Sequence, residues 1–160
     1  MTRVLFVCLG NICRSPTAEG AMRHLLTTEA ADLAVEVDSA GTANYHMGAA
    51  PDARSQAAAK RRGIDLSGLR ARQIVAADFS RFDFILAMDG ANLAHLHSIR
   101  PATATAHLDL LLKFAPNRVC RDVPDPYYGT KADFDQVLDL VEAGARGLIE
   151  FLKSRVSLNK

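Results

Sequence analysis

The sequence is short of cysteine, of long apolar runs and of net charge, and each shortage excludes a class of protein. Its 160 residues include three cysteines, an odd number that does not build a disulfide scaffold and that fits free thiols in a reducing cytosol. No apolar run approaches the roughly 20 residues of a membrane span. A net charge of +1 argues against a nucleic-acid-binding protein that relies on bulk charge. A chain of this length buries a core without a disulfide or a metal.

Several motifs are missing as well. The N-terminal run 3–9 has an arginine and then apolar residues, as in a signal peptide, but it is short, Arg14 follows soon, and no A-x-A cleavage site appears. The absence of any Gly-Lys pair excludes a Walker loop, and no G-x-G-x-x-G fingerprint is present. The five histidines show no metal-ligand spacing, so we expect no metal site. We expect a cytoplasmic protein that binds neither membrane nor nucleic acid.

Strand-like and helix-like segments alternate along the chain, which predicts a parallel sheet with helices on both faces. We predict strands at residues 3–8, 34–40 and 83–88 and within 103–114, and helices at 15–29, 51–62 and 89–99, with Ser15 and Asp89 as N-caps. Residues 117–129 form a loop rich in Pro and Asp. A C-terminal helix carries one apolar stripe, composed of Phe134, Val137, Leu138, Val141, Ala145, Leu148 and Leu152. The fold class is therefore α/β, doubly wound, with about four strands in a single domain over residues 1–160.

The segment after the first strand, Cys8-Leu9-Gly10-Asn11-Ile12-Cys13-Arg14-Ser15, describes a phosphate-binding loop. A turn from a strand end into a helix N-terminus points several backbone N–H groups at one spot, and the helix dipole adds positive charge. Gly10 and Asn11 tolerate the left-handed conformations that a cradle requires. Arg14 supplies a planar fork that matches phosphate oxygens. In α/β sheets, ligands bind at this carboxyl end of the strands.

The first residue of this loop, Cys8, is the candidate nucleophile. Helix N-termini and nearby arginines favour the thiolate form of a cysteine, so the groups that bind a phosphate also activate the sulfur. A thiolate beneath a bound phosphoryl group indicates phosphoryl transfer to sulfur. Ser15 is placed to donate a hydrogen bond to that sulfur and to make it a better leaving group. The bare pair of Cys8 and Arg14 arises easily by chance, and the surrounding Gly, Asn, Ser, strand and helix make the pattern specific.

This loop resembles the signature of the low-molecular-weight protein tyrosine phosphatases. The resemblance continues, in the same order and over nearly the whole chain, at residues 38–42, 72–73, 88–89, 92–93 and 125–129. It implies hydrolysis of phosphotyrosine and of small aryl phosphates through a phosphocysteine intermediate, without metal or other cofactor. It also implies phosphotyrosine proteins as partners and phosphate or vanadate as inhibitory anions. We expect a monomer.

The resemblance also assigns site residues outside the loop. Two acids in the Pro-rich segment, Asp122 and Asp125, are candidates for the general acid that protonates the leaving oxygen. The two prolines that flank Asp125 would, by themselves, indicate a residue in a turn. The resemblance instead matches Asp125 to the general acid of the family. Four residues would wall the pocket and favour aryl phosphates: Leu9, Tyr45, Tyr127 and Tyr128. Asn11, Ser15 and Ser39 resemble the residues that hold the loop in shape.

Leu69 departs from the family pattern, and the role of Cys13 has two alternatives. The family often has a histidine that braces Asn11, whereas this chain has Leu69 at about that place, so we expect a weaker brace. Cys13 follows Cys8 within the same curled loop, and their sulfurs can approach disulfide distance. Cys13 is then either a small apolar filler or a redox guard that condenses with an oxidised Cys8.

Two other functions compete with the phosphatase. Arsenate reduction on the same fold needs a further pair of redox cysteines outside the loop, and this chain has only Cys120 there. A non-catalytic phosphate-binding module, or a phosphocysteine carrier, would lack counterparts of Arg14 and Asp125. Both features therefore favour the phosphatase over these alternatives.

Overall fold

Four runs of the chain form one all-parallel sheet in the computed structural model, which describes residues 1–116 and 120–158. The strands are β1 (Thr2–Cys8), β2 (Val35–Gly41), β3 (Phe84–Ala87) and β4 (His107–Leu110). Their order across the sheet is β2-β1-β3-β4, and each neighbouring pair is parallel. The predicted α/β class with about four parallel strands is confirmed.

Helices connect these strands and cover both faces of the sheet. They are α1 (Arg14–Glu29), α2 (Ala53–Lys60), α3 (Asp78–Arg81), α4 (Gly90–Ile99) and α5 (Lys131–Leu158), with a 3-10 turn at Leu111–Lys113. Successive side chains of a strand point to opposite faces. Val4 and Phe6 of β1 share one core with apolar residues of α1, α2 and α5. Leu5 and Val7 share the other core with residues of α3 and α4, so the sheet is doubly wound as predicted.

The predicted boundaries agree with these elements to within a few residues, but the predicted N-cap of α1 does not. Asp89 caps α4 as predicted, because its carboxylate accepts a hydrogen bond from the N–H of Asn92 at 2.8 Å. The prediction of Ser15 as N-cap of α1 is wrong: the helix begins at Arg14, and Cys13 occupies the N-cap position without a side-chain cap. The hydroxyl of Ser15 is engaged elsewhere, with Asn11 and Cys8.

Two further segments bear on the sequence-based boundaries. Helix α3 was not predicted, because a four-residue helix is too short to show a 3.6-residue periodicity. Part of the predicted loop at 117–129, namely residues 117–119, lies outside the described residues. Within residues 1–116 and 120–158, no helix is both long enough and apolar enough to cross a membrane.

The strand order locates the site. After β1 the chain forms β2 on one side of it and then crosses to form β3 on the other side. The loop that leaves the carboxyl end of β1 therefore lies at the point where the winding reverses, which is where α/β sheets leave a crevice for a ligand. The sequence β1-loop-α1 is thus placed as the phosphate-binding interpretation requires.

Candidate active site

The loop from Cys8 to Ser15 curls between β1 and α1 and presents its backbone donors to a pocket. Asn11 adopts a left-handed conformation, with φ at 57°. Among the hydrogen bonds within residues 1–116 and 120–158, none has a backbone N–H of residues 9–15 as its donor. These N–H groups lie at the N-terminus of α1, where the helix dipole adds a partial positive charge. The loop can therefore bind an anion through several backbone donors at once.

Gly10 serves the loop in a different way from the one predicted. In the described part of the chain, the glycines with positive φ are Gly48 and Gly63, so Gly10 is not left-handed. A Cβ atom on Gly10 would lie 3.0 Å from Cδ2 of His46, closer than nearly all real contacts of that kind. The absence of a Cβ at Gly10 thus leaves room for the His46 ring, which a larger residue would have to displace by a few tenths of an ångström.

The side chain of Asn11 holds the loop in shape through three hydrogen bonds. Its Nδ2 donates to Oγ of Ser15 at 2.8 Å and to Oγ of Ser39 at 3.0 Å. Its Oδ1 accepts from the backbone N–H of Arg72 at 3.0 Å. The carbonyl oxygen of Asn11 is bonded by the backbone N–H of Arg72, and the weaker brace expected from Leu69 stays a prediction. All three polar atoms that Asn11 contacts come from different parts of the chain.

A buried carboxylate, Glu19, extends this network beyond the predicted residues. Ser39 donates to Oε1 of Glu19 at 2.7 Å, and Arg23 donates to Oε2 at 3.0 Å from its Nε. Burial raises the pKa of the Glu19 carboxyl, although Ser39 and Arg23 partly counteract that rise. Because a carboxylate only accepts, the Ser39 hydroxyl must donate to it and is left to accept from Asn11.

The sulfur of Cys8 lies at the base of the loop. Its Sγ is 3.0 Å from Oγ of Ser15, and the residue is 3% exposed. Asn11 donates to the Ser15 oxygen, so the hydrogen of that hydroxyl remains free to point at the sulfur. The other acceptor in reach, the carbonyl of Ala40, is more distant at 3.3 Å. The hydroxyl can therefore stabilise a thiolate at Cys8.

Arg14 is fixed by acceptors on the neighbouring elements. Its Nη1 donates to Oδ2 of Asp89 at 2.5 Å and to the carbonyl of Val123 at 3.1 Å. Its Nη2 lies 3.7 Å from Oδ2 of Asp125. Burial lowers the pKa of the guanidinium, but Cys8 and the carboxylates of Asp89 and Asp125 outweigh that effect, and the pKa is raised. Arg14 therefore stays charged although it is buried.

A pocket of about 300 Å³ opens above the loop and contains most of the predicted site residues. Its lining comprises Cys8, Leu9, Gly10, Ile12, Cys13, Arg14, Tyr45, His46, Asp125, Tyr127 and Tyr128. Asp122 is not part of this lining, and its carboxylate accepts from the N–H of Gly90 at 3.1 Å. The predicted support residues are not part of the lining, and their side chains bond to one another on the buried side of the loop: Asn11 with Ser15 and Ser39. All predicted site residues therefore lie together at one edge of the sheet.

Sequence reasoning missed three residues of this region. His46 lines the pocket, and Asp89 holds Arg14, but neither was assigned a role at the site. The position of Asp89, directly after the third strand, was a usable signal, because neighbouring parallel strands end at the same edge. Glu19 carries no such signal, since a glutamate on a helix is normally exposed. Among the described residues, no group of three or more His, Cys, Asp or Glu side chains is arranged to hold a metal ion.

Cys13 lies under the same loop and differs from Cys8 in its surroundings. It is buried, and burial raises the pKa of its thiol to about 12, with the carboxylate of Asp52 adding to the rise. A hydrogen bond with Ser55 acts in the opposite direction. Cys13 is therefore a protonated thiol at neutral pH.

The chain resembles known phosphatases in sequence and in structure. Residues 3–158 match the family model described as low molecular weight phosphotyrosine protein phosphatase. The human low molecular weight phosphotyrosine protein phosphatase is 44% identical over 149 residues, which cover 92% of this chain and 93% of the human protein. YfkJ of Bacillus subtilis, a low molecular weight protein-tyrosine-phosphatase, is 38% identical over 158 residues, covering 99% and 100% of the two chains. The crystal structure of a protein tyrosine phosphatase from Entamoeba histolytica superposes with a TM-score of 0.91 at 36% identity, covering 96% and 98%.

We predict that Asn11→Gly loosens the loop. Glycine adopts the left-handed φ without strain, so the substitution removes the three hydrogen bonds without straining the folded loop, and it adds a small entropy cost through the unfolded chain. We expect a loss of about 1–3 kcal/mol in the free energy of unfolding, because buried polar groups lose their partner, together with weaker binding of vanadate. Urea denaturation and calorimetric titration measure the two effects. Asn44→Ala, in an exposed loop residue, is the control and should change neither; vanadate affinity equal to that of the parent protein would contradict the role of Asn11.

Proposed function

We propose that this chain works through a phosphocysteine intermediate and without a metal ion. The premise is that the chain belongs to the low molecular weight phosphotyrosine protein phosphatase family and is a protein-tyrosine-phosphatase. The observation that carries the proposal is the position of the Cys8 sulfur beneath a loop of unpaired N–H donors, with Arg14 fixed beside it. Asp125 lies at the rim of the same pocket. A nucleophile, a set of oxyanion donors and an acid thus surround one space.

In the first step, the Cys8 thiolate attacks phosphorus, and the bond from phosphorus to the phenolic oxygen breaks. The protonated carboxyl of Asp125 gives its proton to the departing oxygen, so that a neutral phenol leaves. The loop N–H groups and the fork of Arg14 bind the phosphoryl oxygens, whose charge is spread over them in the transition state. The sulfur then carries the phosphoryl group.

In the second step, water attacks phosphorus and the S–P bond breaks. The Asp125 carboxylate takes a proton from that water, and inorganic phosphate leaves. The Ser15 hydroxyl, 3.0 Å from the sulfur, donates to the thiolate as it departs and makes it a better leaving group. Phosphate, as product, and vanadate, as its analogue, bind the same donors and are therefore expected inhibitors.

The pocket walls support aryl phosphates as substrates. Tyr127 and Tyr128 pack edge to face at 4.9 Å between ring centroids, and Tyr45 and Leu9 line the pocket with them. Aromatic rings prefer such edge-to-face or offset contacts, so these side chains suit a flat phenolic ring. The proposed substrates are phosphotyrosine residues of proteins and small aryl phosphates.

The competing functions have less support. Arsenate reduction needs a pair of redox cysteines outside the loop, whereas Cys120 alone lies there, and its thiol donates to the carbonyl of Asp122 at 2.9 Å. A non-catalytic phosphate module or a phosphocysteine carrier would not need Asp125 at the rim or a buried Arg14. The free thiols of Cys8, Cys13 and Cys120 suit a reducing compartment, so the proposed location is the cytoplasm. The proposed oligomeric state, a monomer, is a separate expectation.

Cys8→Ser tests the proposed route directly. We expect the variant to lose turnover of para-nitrophenyl phosphate by at least about 10³-fold, since serine is a poor nucleophile without an adjacent base. Vanadate should still bind, because the loop N–H groups and Arg14 remain. The parent enzyme is assayed with and without a metal chelator, and the two rates should be equal. Appreciable turnover by the serine variant, or loss of parent activity with the chelator, would contradict the proposal.

Asp125→Ala tests whether Asp125 protonates the leaving group, independently of the nucleophile. Substrates with poor leaving groups need protonation more than para-nitrophenyl phosphate does, so we expect about 10²-fold or greater loss for phenyl phosphate and a much smaller loss for para-nitrophenyl phosphate. Measuring kcat/KM for a series of substituted phenyl phosphates checks this. Asp122→Ala is the control, and it should affect all leaving groups alike. Equal losses across the series in Asp125→Ala would show that Asp125 is not the acid.

The proposed guard function of Cys13 makes a separate prediction. Peroxide converts the Cys8 thiolate to a sulfenic acid; the Cys13 thiolate then attacks that sulfur, releases hydroxide and forms a disulfide, which dithiothreitol reduces. Because the pKa of Cys13 is about 12, its thiolate fraction and hence this condensation should rise about tenfold per pH unit near neutrality.

The measurement is the activity recovered with dithiothreitol after peroxide treatment at pH 7 and pH 8. We expect the parent enzyme and Cys120→Ser to recover, more fully at the higher pH, and Cys13→Ser to lose most of the recovery. The Cys13→Ser enzyme must be active before oxidation. Full recovery of this variant would mean that Cys13 is only an apolar filler.

A further inference from the structure

Tyr127 contacts a side chain of α2 that the reaction steps do not use. The guanidinium carbon of Arg54 lies 5.5 Å from the ring centroid of Tyr127 and 4.6 Å from that of Phe134. Both distances are within the roughly 6 Å at which a cation is attracted to an aromatic ring. We propose that Arg54 is a positioning residue that holds Tyr127, and through it Asp125, over the phosphate-binding loop. This inference rests on the proposed function, because it concerns the acid and the wall of that same site.

Arg54 is itself fixed to the start of α2. Its Nε and Nη2 donate to the two carboxylate oxygens of Asp52 at 3.0 and 2.9 Å, and its backbone N–H donates to Oδ1 at 2.8 Å. A two-pronged pair of this kind sets the plane of the guanidinium as well as its position. The backbone N–H of Asp52 in turn donates to the carbonyl of Ile12 at 2.8 Å. Arg54 is therefore tied, through two steps, to the loop that binds phosphate.

The segment that carries the acid is anchored by the buried Pro126 but makes few hydrogen bonds to the rest of the chain. Its two ends are attached: the N–H of Val123 donates to Met88 at 2.8 Å, and the N–H of Thr130 donates to Asp133 at 2.7 Å. Between them, the hydrogen bonds made by residues 124–129 in the described part of the chain stay within that segment. The ion pair between Asp125 and Arg14, at 3.7 Å, connects the segment to the start of α1.

The surroundings of Tyr127 point to Arg54 as its support. The neighbouring Tyr128 is 96% exposed and cannot fix another ring. Phe134, in contrast, is buried in the core, and the guanidinium lies closer to it than to Tyr127. Arg54 thus joins a fixed ring of α5 to a pocket-wall ring. Since the N–H of Tyr127 donates to Oδ1 of Asp125 at 3.1 Å, a shift of Tyr127 also moves the acid.

Arg54→Met tests the inference, because methionine keeps the apolar stem and removes the cation and the fork. Moving the acid harms only the proton transfer, so we expect kcat/KM to fall about tenfold for phenyl phosphate and about twofold or less for para-nitrophenyl phosphate. Arg54→Lys retains the positive charge but not the two-pronged guanidinium. Its kcat/KM for phenyl phosphate should lie between those of the parent enzyme and Arg54→Met. In the Tyr127→Leu background, Arg54→Met should cause no further loss, because Arg54 acts through that ring.

Arg61→Met is the matched control. Arg61 follows α2, is as exposed as Arg54 and pairs with Asp135 at 3.0 Å, but among the described residues its guanidinium makes no cation–π contact with a pocket ring. It should leave all rates unchanged. A readout independent of catalysis is chymotrypsin cleavage after Tyr127 or Tyr128, which should be at least about threefold faster in Arg54→Met than in the parent or Arg61→Met, because local opening exposes the segment.

The outcomes separate this inference from the proposed function. Three results would each overturn the inference. They are a loss of kcat/KM in Arg54→Met that is equal for all leaving groups, a further loss when Arg54→Met is added to Tyr127→Leu, and an unchanged rate of chymotrypsin cleavage. If Asp125→Ala shows leaving-group dependence and Arg54→Met does not, only the positioning role fails. If Asp125→Ala shows none, the proposed acid fails, and the chymotrypsin comparison still decides whether Arg54 holds the segment.

Discussion

The three hydrogen bonds of Asn11 are the constraint on which the site depends. A loop that leaves its backbone N–H groups unpaired cannot be held by those same groups, because regular structure normally consumes them. The side chain of Asn11 supplies the missing support from below, by bonding Ser15, Ser39 and the backbone of Arg72. It also tolerates the left-handed conformation that turns the chain. One residue therefore both shapes the loop and leaves its donors available to an anion.

The directions of the hydrogen bonds in this network can be followed from Glu19 to the side chain next to the Cys8 sulfur. Glu19 can only accept, so Ser39 donates to it and accepts from Asn11. The carbonyl of Asn11 faces a backbone N–H, which fixes its amide nitrogen toward both serines. Ser15 accepts from Asn11, so its hydrogen is available to the sulfur of Cys8 at 3.0 Å and to the carbonyl of Ala40 at 3.3 Å. Glu19 and the backbone N–H of Arg72 thus set the donor and acceptor roles of Ser39 and Asn11.

Much of this could be predicted from the sequence, because it follows from local rules. Buried parallel strands are continuous apolar runs, and residues 3–8 are such a run. The loop from Cys8 to Ser15 is a contiguous motif, so its position after β1 follows from the order of elements. The Asp89 cap also follows from sequence, since a side chain that binds an N–H three residues ahead is a local interaction.

What could not be predicted depends on contacts between distant parts of the chain. Arg14 at the start of α1 pairs with Asp89, which follows β3, and this contact depends on how the two segments pack rather than on a pattern within either one. The hydrogen bond from the backbone N–H of Arg72 to Asn11 could not be predicted either, because the sequence does not show which backbone groups face each other. Gly10 was expected to supply conformational freedom, whereas its lack of a Cβ makes room for His46.

The site divides into a fixed base and an exposed rim, and the two parts meet different demands. Transition-state stabilisation needs donors held in place before the substrate arrives, and Asn11, Arg14 and Ser15 are all buried and bonded on several sides. A phosphotyrosine on a protein surface needs walls that can admit a bulky partner, and Tyr45 and Tyr128 are mostly exposed. Changes at the rim therefore alter which substrate enters without altering the donors at phosphorus. In the proposed mechanism, the donors at phosphorus lie on the loop and at the start of α1, whereas the acid Asp125 shares a segment with the pocket-wall ring of Tyr127. Substrate choice is therefore separable from phosphoryl binding but coupled to proton donation.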